Sequence, residues 1–287
     1  MTNSRARLWL LICTLMIVLS GCTTKFTYRF LDWMVAWSVD DYIDWDKSQQ
    51  RQFDAMVDRQ LLWHQRTQLP RYGQLLRQLQ QDNQQPLNRE DAEQRLLQMG
   101  VMVKDLLLHI SPDAAILLAS LSDQQVTELL ANIDAKTAES EAKYSHSTKK
   151  QLDQERVKEA NKAAKRLMGR LSEPQRALID RWNQQLQPTW SEWIASRTYW
   201  RDQFAVVLKQ RQQPGFEQKI LRLFTQSQDD WSAEYAAIIE ANTNAGIDLI
   251  IALQASASDK QLKHIDRQLG AWAKAFEELA ASAADDG

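Results

Sequence analysis

The sequence contains almost no cysteine and little glycine or proline. Its 287 residues include 2 Cys, 8 Gly and 6 Pro. Two cysteines allow at most one disulfide, so the fold does not rest on a disulfide framework. Few Gly and Pro residues mean few turns, and no stretch of strand length alternates Val, Ile and Thr with polar residues. The sequence therefore predicts an all-α protein that is stabilised by packing.

A large charge of either sign is also missing. The chain has 35 Lys and Arg against 37 Asp and Glu, so its formal net charge is -2. A nucleic-acid-binding domain normally has a marked basic surplus, and this chain has none. We therefore expect no nucleic acid among its partners, and the charge alone selects no other partner.

Known catalytic motifs are missing as well. The sequence has no Gly-rich phosphate loop, no Gly-x-Ser-x-Gly and no Cys-x-x-Cys. Its carboxylates are too numerous for one acid and base pair to stand out. None of the four histidines has a second His or Cys at metal-ligand spacing; they are His64, His109, His146 and His264. We predict no catalytic, metal-binding or cofactor-binding residues, no cofactor, and no enzyme activity.

The N-terminus has the layout of a secretory signal. Arg5 and Arg7 precede an apolar stretch at positions 8–19, and small residues follow it. About 12 apolar residues are too few for a permanent membrane span, which needs about 20. We therefore expect residues 1–21 to be a cleaved signal peptide, and residues 22–287 to form a single all-helical domain.

The residues at the cleavage point, Leu19-Ser20-Gly21-Cys22, resemble the bacterial lipobox. This resemblance implies that Cys22 is the lipid-attachment residue, modified with diacylglycerol and palmitate, and that lipid on Cys22 holds the chain at the membrane. Thr23, in place of Asp after the cysteine, implies delivery to the outer membrane, facing the periplasm. An ordinary signal peptide with a chance cysteine is the alternative.

An aromatic segment follows the anchor. Phe26, Phe30, Trp33 and Trp37 share one helical face, while other apolar residues occupy the remaining faces. The segment is therefore expected to pack in the core, with the membrane interface as the alternative. Four acids at positions 40–46 are expected to cap the next helix, with a calcium site as the alternative.

Apolar spacing and breakers define the remaining helices. We predict a helix over 47–81 that is kinked at Pro70, a helix from Asn88 to about Ile110, and a short new helix at Pro112. Three helices are expected near the C-terminus, over 216–241, 247–255 and 259–281. Together these elements predict an elongated multi-helix bundle with long, partly kinked helices.

A capping box recurs at four helix starts. The boxes pair Asp46 with Gln49, Ser122 with Gln125, Ser172 with Gln175, and Ser258 with Gln261. Their unequal intervals exclude a regular solenoid period.

Two regions leave alternatives open. Residues 123–168 form either one long helix, continuous or kinked, which we favour, or two helices with a turn at 145–147 and a cap at Thr148. After Gly169, aromatic residues recur at helical spacing, and a core face is favoured over a sugar-stacking surface; they include Trp182, Trp190, Trp193, Trp200 and Phe204.

The sequence also resembles two known families. The aromatic N-terminal stretch, with Trp63-His64 and Leu69-Pro70-Arg71-Tyr72, resembles proteobacterial lipoproteins of the domain of unknown function 6279. That family implies no activity and no catalytic residues. A weaker resemblance links the boxes at Ser122 and Ser172 to the Leu-Thr-x-x-Gln motif of periplasmic chaperones of the Spy and CpxP type.

These observations favour a binding, scaffold or chaperone-like envelope protein. Its expected partner is another envelope protein or an unfolded client, bound in a shallow apolar groove between helices. The alternative is an envelope enzyme that acts on cell-wall glycan through acidic residues, and it predicts a deep cleft with paired acids.

Overall fold

The computed structural model describes Tyr28 and residues 31–285. These residues form α-helices and one π-helical segment, with no strand among them, which confirms the predicted all-α multi-helix bundle. The predicted signal peptide, Cys22, Phe26 and Phe30 lie outside the described residues. The helices, in chain order, are α1 Leu31–Asp40, α2 Lys47–Trp63, α3 Leu69–Asp82, α4 Arg89–Ala119, α5 Asp123–Ser145, α6 Lys149–Met168, α7 Glu173–Gln185, α8 Trp190–Leu208, α9 Phe216–Thr225, α10 Ala233–Ala255 and α11 Asp259–Asp285.

The helical structure predicted over 47–81 is confirmed, with a π-helical segment just before Pro70. The π segment His64–Gln68 joins α2 directly to α3, and Pro70 lies in the first turn of α3. The Leu69 N–H bonds to the His64 carbonyl five residues back, so the helix widens just before the proline ring would meet the preceding turn.

The α2–α3 arm and α4 run antiparallel, joined by residues 83–88. Polar side chains pair between the two arms at several points along their length. The paired residue numbers rise on one arm as they fall on the other, as expected for antiparallel helices. The crossing pairs are Asp82 with Arg95, Arg71 with Asp105, Gln60 with Asp113, and Gln49 with Ser120.

All four predicted capping boxes are present, and the structure pairs them two by two. Gln49 and Gln125 exchange side-chain amide hydrogen bonds of 3.1 and 2.6 Å. Gln175 and Gln261 do the same at 3.1 and 2.9 Å. Gln49 also donates to the Ser120 carbonyl at the end of α4, and Gln175 donates to the Ser256 carbonyl at the end of α10. The second half of the chain therefore repeats the arrangement of the first.

Each half of the chain packs one of its helices on a helix of the other half. Helix α3 of the first half packs on α11 of the second, where Arg77 forms a two-bond ion pair with Glu277. Helix α8 of the second half packs on α5 of the first, where the Trp190 ring stacks on Tyr144 at 4.0 Å. Both main cores therefore combine residues of the two halves. One joins Leu129 and Ile133 to Phe204 and Ile220, and the other joins Leu69 to Ile179 and Trp272.

Two predicted boundaries around α4 and α5 are wrong. Helix α4 continues through Pro112 to Ala119. The proline N–H that is missing would have bonded to the Leu108 carbonyl, so the helix tolerates the loss of one backbone bond there. Residues 123–168 are not one continuous or kinked helix. A capping box at Thr148 and Gln151 starts α6 after a turn at 146–148, and α6 then packs on α7 and α11 rather than on α5.

Two predictions in the second half also need correction. The break expected near 242–246 lies at 226–232, because the Ser232 side chain caps α10 and the Asn-rich stretch stays helical. The aromatic residues after Gly169 do not share one face, since the chain breaks around Pro188. Trp182 packs on the core around Ile179, while Trp200 and Phe204 pack on the core around Ile220. The expectation that these side chains belong to the core is confirmed.

The aromatic segment is only partly core. On α1, Val35, Ala36 and Val39 pack against a small cluster that includes Phe53 and Val57. Trp33 and Trp37 are exposed, so the prediction that this face packs in the core is wrong for them. The face of α1 that packs on the protein is the one that carries the smaller side chains.

Candidate functional site

An open cleft of about 370 Å³ lies between α3 and α4. Its apolar floor consists of Leu75, Leu97, Val101 and Met102. Helix α3 packs along α11. Helix α4 is attached beyond the cleft at both of its ends: Ala115 and Leu118 share a core with Phe216 and Ile220 of α9, and Arg89 pairs with Asp248 of α10. The α4 wall of the cleft is therefore held at its ends and is uncovered between them.

Helix α4 supplies an unusual amount of uncovered apolar surface. Between Arg89 and Ile110 none of its residues is buried. Leu97 is 70% exposed and Val101 is 53% exposed, and both line the cleft. Leu96, Val103 and Leu108 are exposed on the same helix. Apolar side chains scattered singly on a surface are normal, but a run of them along one helix marks a binding surface.

The rim of the cleft carries amide side chains. Gln74 and Gln78 stand one turn apart on α3, and Gln94 and Gln98 stand one turn apart on α4. An amide group both donates and accepts hydrogen bonds and carries no charge. The rim can therefore bond to a polypeptide backbone without requiring a charged partner.

Ion pairs close the two ends of the cleft. At one end Arg95 bonds to both carboxylate oxygens of Asp82, at 2.6 and 3.0 Å, and the hydrogen bond with Asp82 raises the pKa of Arg95. At the other end Arg71 lies 2.7 Å from Asp105. The charges at both ends are matched within the protein, so the interior of the cleft is left neutral.

A second open groove continues along the same arm. It lies between α2 and the end of α4 and has a volume of about 310 Å³. Met56, Leu117 and the exposed Ile116 line it, and Arg59 pairs with Asp113 at its edge at 3.1 Å. The apolar surface of α4 is therefore accessible along much of its length.

The four histidines lie in separate places. His64 contacts Tyr28 and Tyr72, with 3.1 Å between its Nδ1 and the Tyr28 hydroxyl, and burial lowers its pKa to about 4. The His109 ring stacks on Trp63 at 3.6 Å. His146 follows the end of α5, and His264 lies beside Gly169. Within the described part of the chain, no group of three or more His, Cys, Asp or Glu residues could hold a metal ion.

The predicted lipid-attachment residue, Cys22, lies outside the described residues. Of the four acids at 40–46, Asp46 caps α2 as predicted, and Asp41 pairs with Lys136 at 3.1 Å. The cleft residues themselves were not singled out by the sequence. Two signals pointed to them: the i,i+4 glutamine pairs on α3 and α4, and an apolar content at 96–108 that exceeds one helical stripe.

One described helix, α10, is long and apolar enough to cross a membrane by length and composition alone. Its polar side chains bond to three other segments of the fold. Asn242 bonds to Gln187, Asp248 pairs with Arg89, and Gln254 donates to the Gln85 carbonyl. These contacts attach α10 to the bundle along its length.

A model described as a family of unknown function, DUF6279, matches residues 41–236. The match covers both glutamines of the first pair, Gln175 of the second, and the whole cleft. Neither a curated protein nor a solved structure matches the chain significantly.

Proposed function

The chain belongs to the DUF6279 family of unknown function, and we propose from the geometry that it binds an apolar segment of another envelope protein in the α3–α4 cleft. We also propose that the protein is lipid-anchored in the outer membrane and faces the periplasm. The proposal involves binding only, with no chemistry and no cofactor.

The exposure of Leu97 and Val101 over the open cleft is the observation that carries this proposal. Burying an apolar side chain stabilises a complex by about 25 cal/mol per Å² of surface removed from water. Both side chains already line the open cleft and are exposed in it, so a bound segment can cover them without first displacing another part of the protein.

The amide rim favours a client of variable sequence. Gln74 and Gln94 offer donors and acceptors to any backbone. The carbonyls of Gln78 and Gln98 accept bonds from Arg95, and their NH₂ groups still offer donors. Selectivity then comes from apolar character, which is the property that an unfolded or partly folded envelope protein exposes. This supports a chaperone-like or scaffold role.

The composition of the cleft favours binding over catalysis. An enzyme acting on glycan needs a pair of carboxylates beside the scissile bond. The residues that line the cleft include Arg71 but no Asp or Glu. Asp82 and Asp105, at the two ends, are both engaged by arginines.

The anchor concentrates the cleft near its partners. Lipid on Cys22 restricts the protein to the membrane surface, which raises its effective concentration toward other envelope proteins. A modest affinity per encounter is then sufficient, as expected for a client that must also be released.

In-cell photo-crosslinking tests the proposal. A photo-reactive residue replaces Gln98 in the cleft, and in a matched control it replaces Lys158, which is exposed on α6. We expect Gln98 to yield protein crosslinks that Lys158 does not, and Leu97→Ser with Val101→Ser to reduce them at least about tenfold. Because both side chains are exposed, this double variant should unfold at the wild-type denaturant midpoint.

Two results would overturn the proposal. The first is equal crosslinking from Gln98 and Lys158, or crosslinking that the double variant leaves unchanged. The second is turnover of purified cell-wall glycan by the wild-type protein, with loss of turnover on substitution of a carboxylate, which would establish the enzyme alternative.

A further inference from the structure

Two tryptophans on α1 are exposed. The Trp33 ring is 62% exposed and Trp37 is 55% exposed, and the two rings stack at 6.2 Å with 12° between their planes. Every other tryptophan in the described part of the chain is buried or half-buried. Adjacent large aromatic side chains that are exposed together mark an interaction surface.

The orientation of this pair is fixed by the opposite face of α1. Val35, Ala36 and Val39 pack against the cluster around Phe53 and Val57. Within α1, the Ser38 hydroxyl bonds to the Met34 carbonyl at 2.7 Å. Helix α1 therefore cannot turn its tryptophans inward without giving up its existing packing.

The length of chain before α1 determines what lies near the pair. Nine residue steps separate Cys22 from Leu31, the first residue of α1. Fully extended, they reach at most about 30 Å. If Cys22 carries lipid, as the proposed function has it, the first turn of α1 is held within that distance of the bilayer surface.

The charged residues around α1 are distributed unevenly, with cations before the helix in the sequence and acids at its end. Lys25 and Arg29 precede α1 in the sequence, on the side of the anchor, where anionic headgroups attract cations. Asp40 and Asp41 lie at the far end of α1, and Asp41 is paired with Lys136 of α5. The acids are thus at the end away from Cys22.

We propose that the Trp33–Trp37 face of α1 lies in the headgroup region of the membrane and orients the protein on the bilayer. Indole rings favour this region because they combine a large apolar body with one polar N–H. With lipid at Cys22 and an aromatic contact on α1, the body is held at two points rather than one. The inference rests on the proposed anchor, but the two can be tested separately.

Vesicle flotation tests the contact without the lipid. The whole mature chain with Cys22→Ser is mixed with vesicles of phosphatidylethanolamine and phosphatidylglycerol, and its partition coefficient is measured. We expect weak but measurable binding, which Trp33→Ala with Trp37→Ala lowers about tenfold. Trp33→Tyr with Trp37→Tyr should retain most of the binding, since tyrosine also favours the interface.

A matched control removes two equally exposed apolar side chains elsewhere. Val206→Ala with Ile250→Ala should leave the partition unchanged, because those residues lie on α8 and α10 and not on α1 or in the cleft. Circular dichroism and thermal melts check that each variant folds like the parent chain. In the lipidated protein, lipids brominated near the headgroup should quench a fraction of the fluorescence that the Trp33→Ala, Trp37→Ala variant lacks.

An unchanged partition in the double alanine variant would overturn the proposal, as would binding to purified peptidoglycan in place of vesicles. Mass spectrometry of the mature wild-type N-terminus tests the anchor itself. A modified Cys22 without tryptophan-dependent flotation refutes this inference alone, whereas an unmodified Cys22 refutes the anchor of the proposed function.

Discussion

Gln49 and Gln125, which stand in two different capping boxes, each donate their side-chain amide to the other's carbonyl oxygen. Each glutamine thereby performs two tasks. It accepts a bond from the backbone N–H at the start of its own helix, and it ties that helix to another helix start. Gln175 and Gln261 repeat this arrangement. The helix starts of this protein are therefore tertiary contacts as well as local caps.

Gln175→Ala should destabilise the fold by about 2 to 3 kcal/mol. Gln175 is 1% exposed, and its loss leaves Gln261 and the Ser256 carbonyl without their buried partner. Denaturant midpoints measure the effect. Gln151→Ala is the control, because Gln151 is exposed and caps α6 by bonding to Thr148; it should cost about 1 kcal/mol or less. Equal losses in the two variants would refute a tertiary role.

A double-mutant cycle on the same pair separates the caps from their coupling. The loss in the combined Gln175→Ala, Gln261→Ala variant should be smaller than the sum of the single losses, since the second substitution removes a group that the first left unpaired. Strict additivity would show that the two amides act independently.

Two glycines on different helices should respond differently to alanine. A Cβ on Gly246 of α10 meets open space, so Gly246→Ala should stabilise the protein by about 0.5 to 1 kcal/mol. A Cβ on Gly270 of α11 would lie 2.8 Å from Gln80 Nε2, which bonds to the Asp266 carbonyl at 2.9 Å. Gly270→Ala should therefore be about 1 kcal/mol less stable than Gly246→Ala. Thermal melts that fail to separate the two variants would contradict the close packing of α3 on α11.

His64 should make the stability fall in acid. Burial lowers its pKa from 6.5 to about 4, so between these values the unfolded chain binds a proton that the folded protein does not. Stability is therefore complete above about pH 6.5 and declines as the pH falls toward 4, by about 3 kcal/mol at most.

The measurement is the free energy of unfolding against pH. His64→Gln should flatten the decline between pH 6.5 and 4 relative to wild type, whereas His109→Gln, which removes an exposed histidine, should keep it. Parallel curves for wild type and His64→Gln would show that His64 is protonated in the folded protein.

Cys22→Ser should abolish lipid attachment, because the sequence beyond the predicted cleavage point contains no other thiol. The protein should then leave the membrane fraction or accumulate unprocessed. Mass spectrometry of the N-terminal peptide, in wild type and variant, decides the matter. The proposed anchor is wrong if wild-type Cys22 carries no lipid.

Local signals in the sequence predicted helix starts well. Asp46, Ser122, Ser172 and Ser258 each cap the helix they were expected to cap, because a capping box is complete within four residues. The same locality explains the failure at 123–168. A strongly helix-forming run of Lys, Glu and Ala outweighed the box at Thr148, which does begin a new helix.

Contacts between residues that are far apart in the sequence could not be predicted from it. Nothing near Gln49 indicates that it faces Gln125, and nothing near Leu97 indicates that no other helix covers it. Which apolar residues remain exposed depends on which helices arrive to cover them. The spacing of apolar residues in the sequence therefore does not distinguish the cleft and the Trp33–Trp37 face from faces that pack in the core.

The packing of α3 on α11, which lie in different halves of the chain, determines when the protein can finish folding. Helix α3 is synthesised well before α11, on which it packs, and Arg77 and Glu277, which pair across this contact, are 200 residues apart in the sequence. Contacts so distant in sequence close slowly. A chain exported from its N-terminus, as the proposed anchor requires, would therefore expose Leu69 and Leu76 until α11 followed. Any truncation before residue 259 would leave that surface permanently open to aggregation.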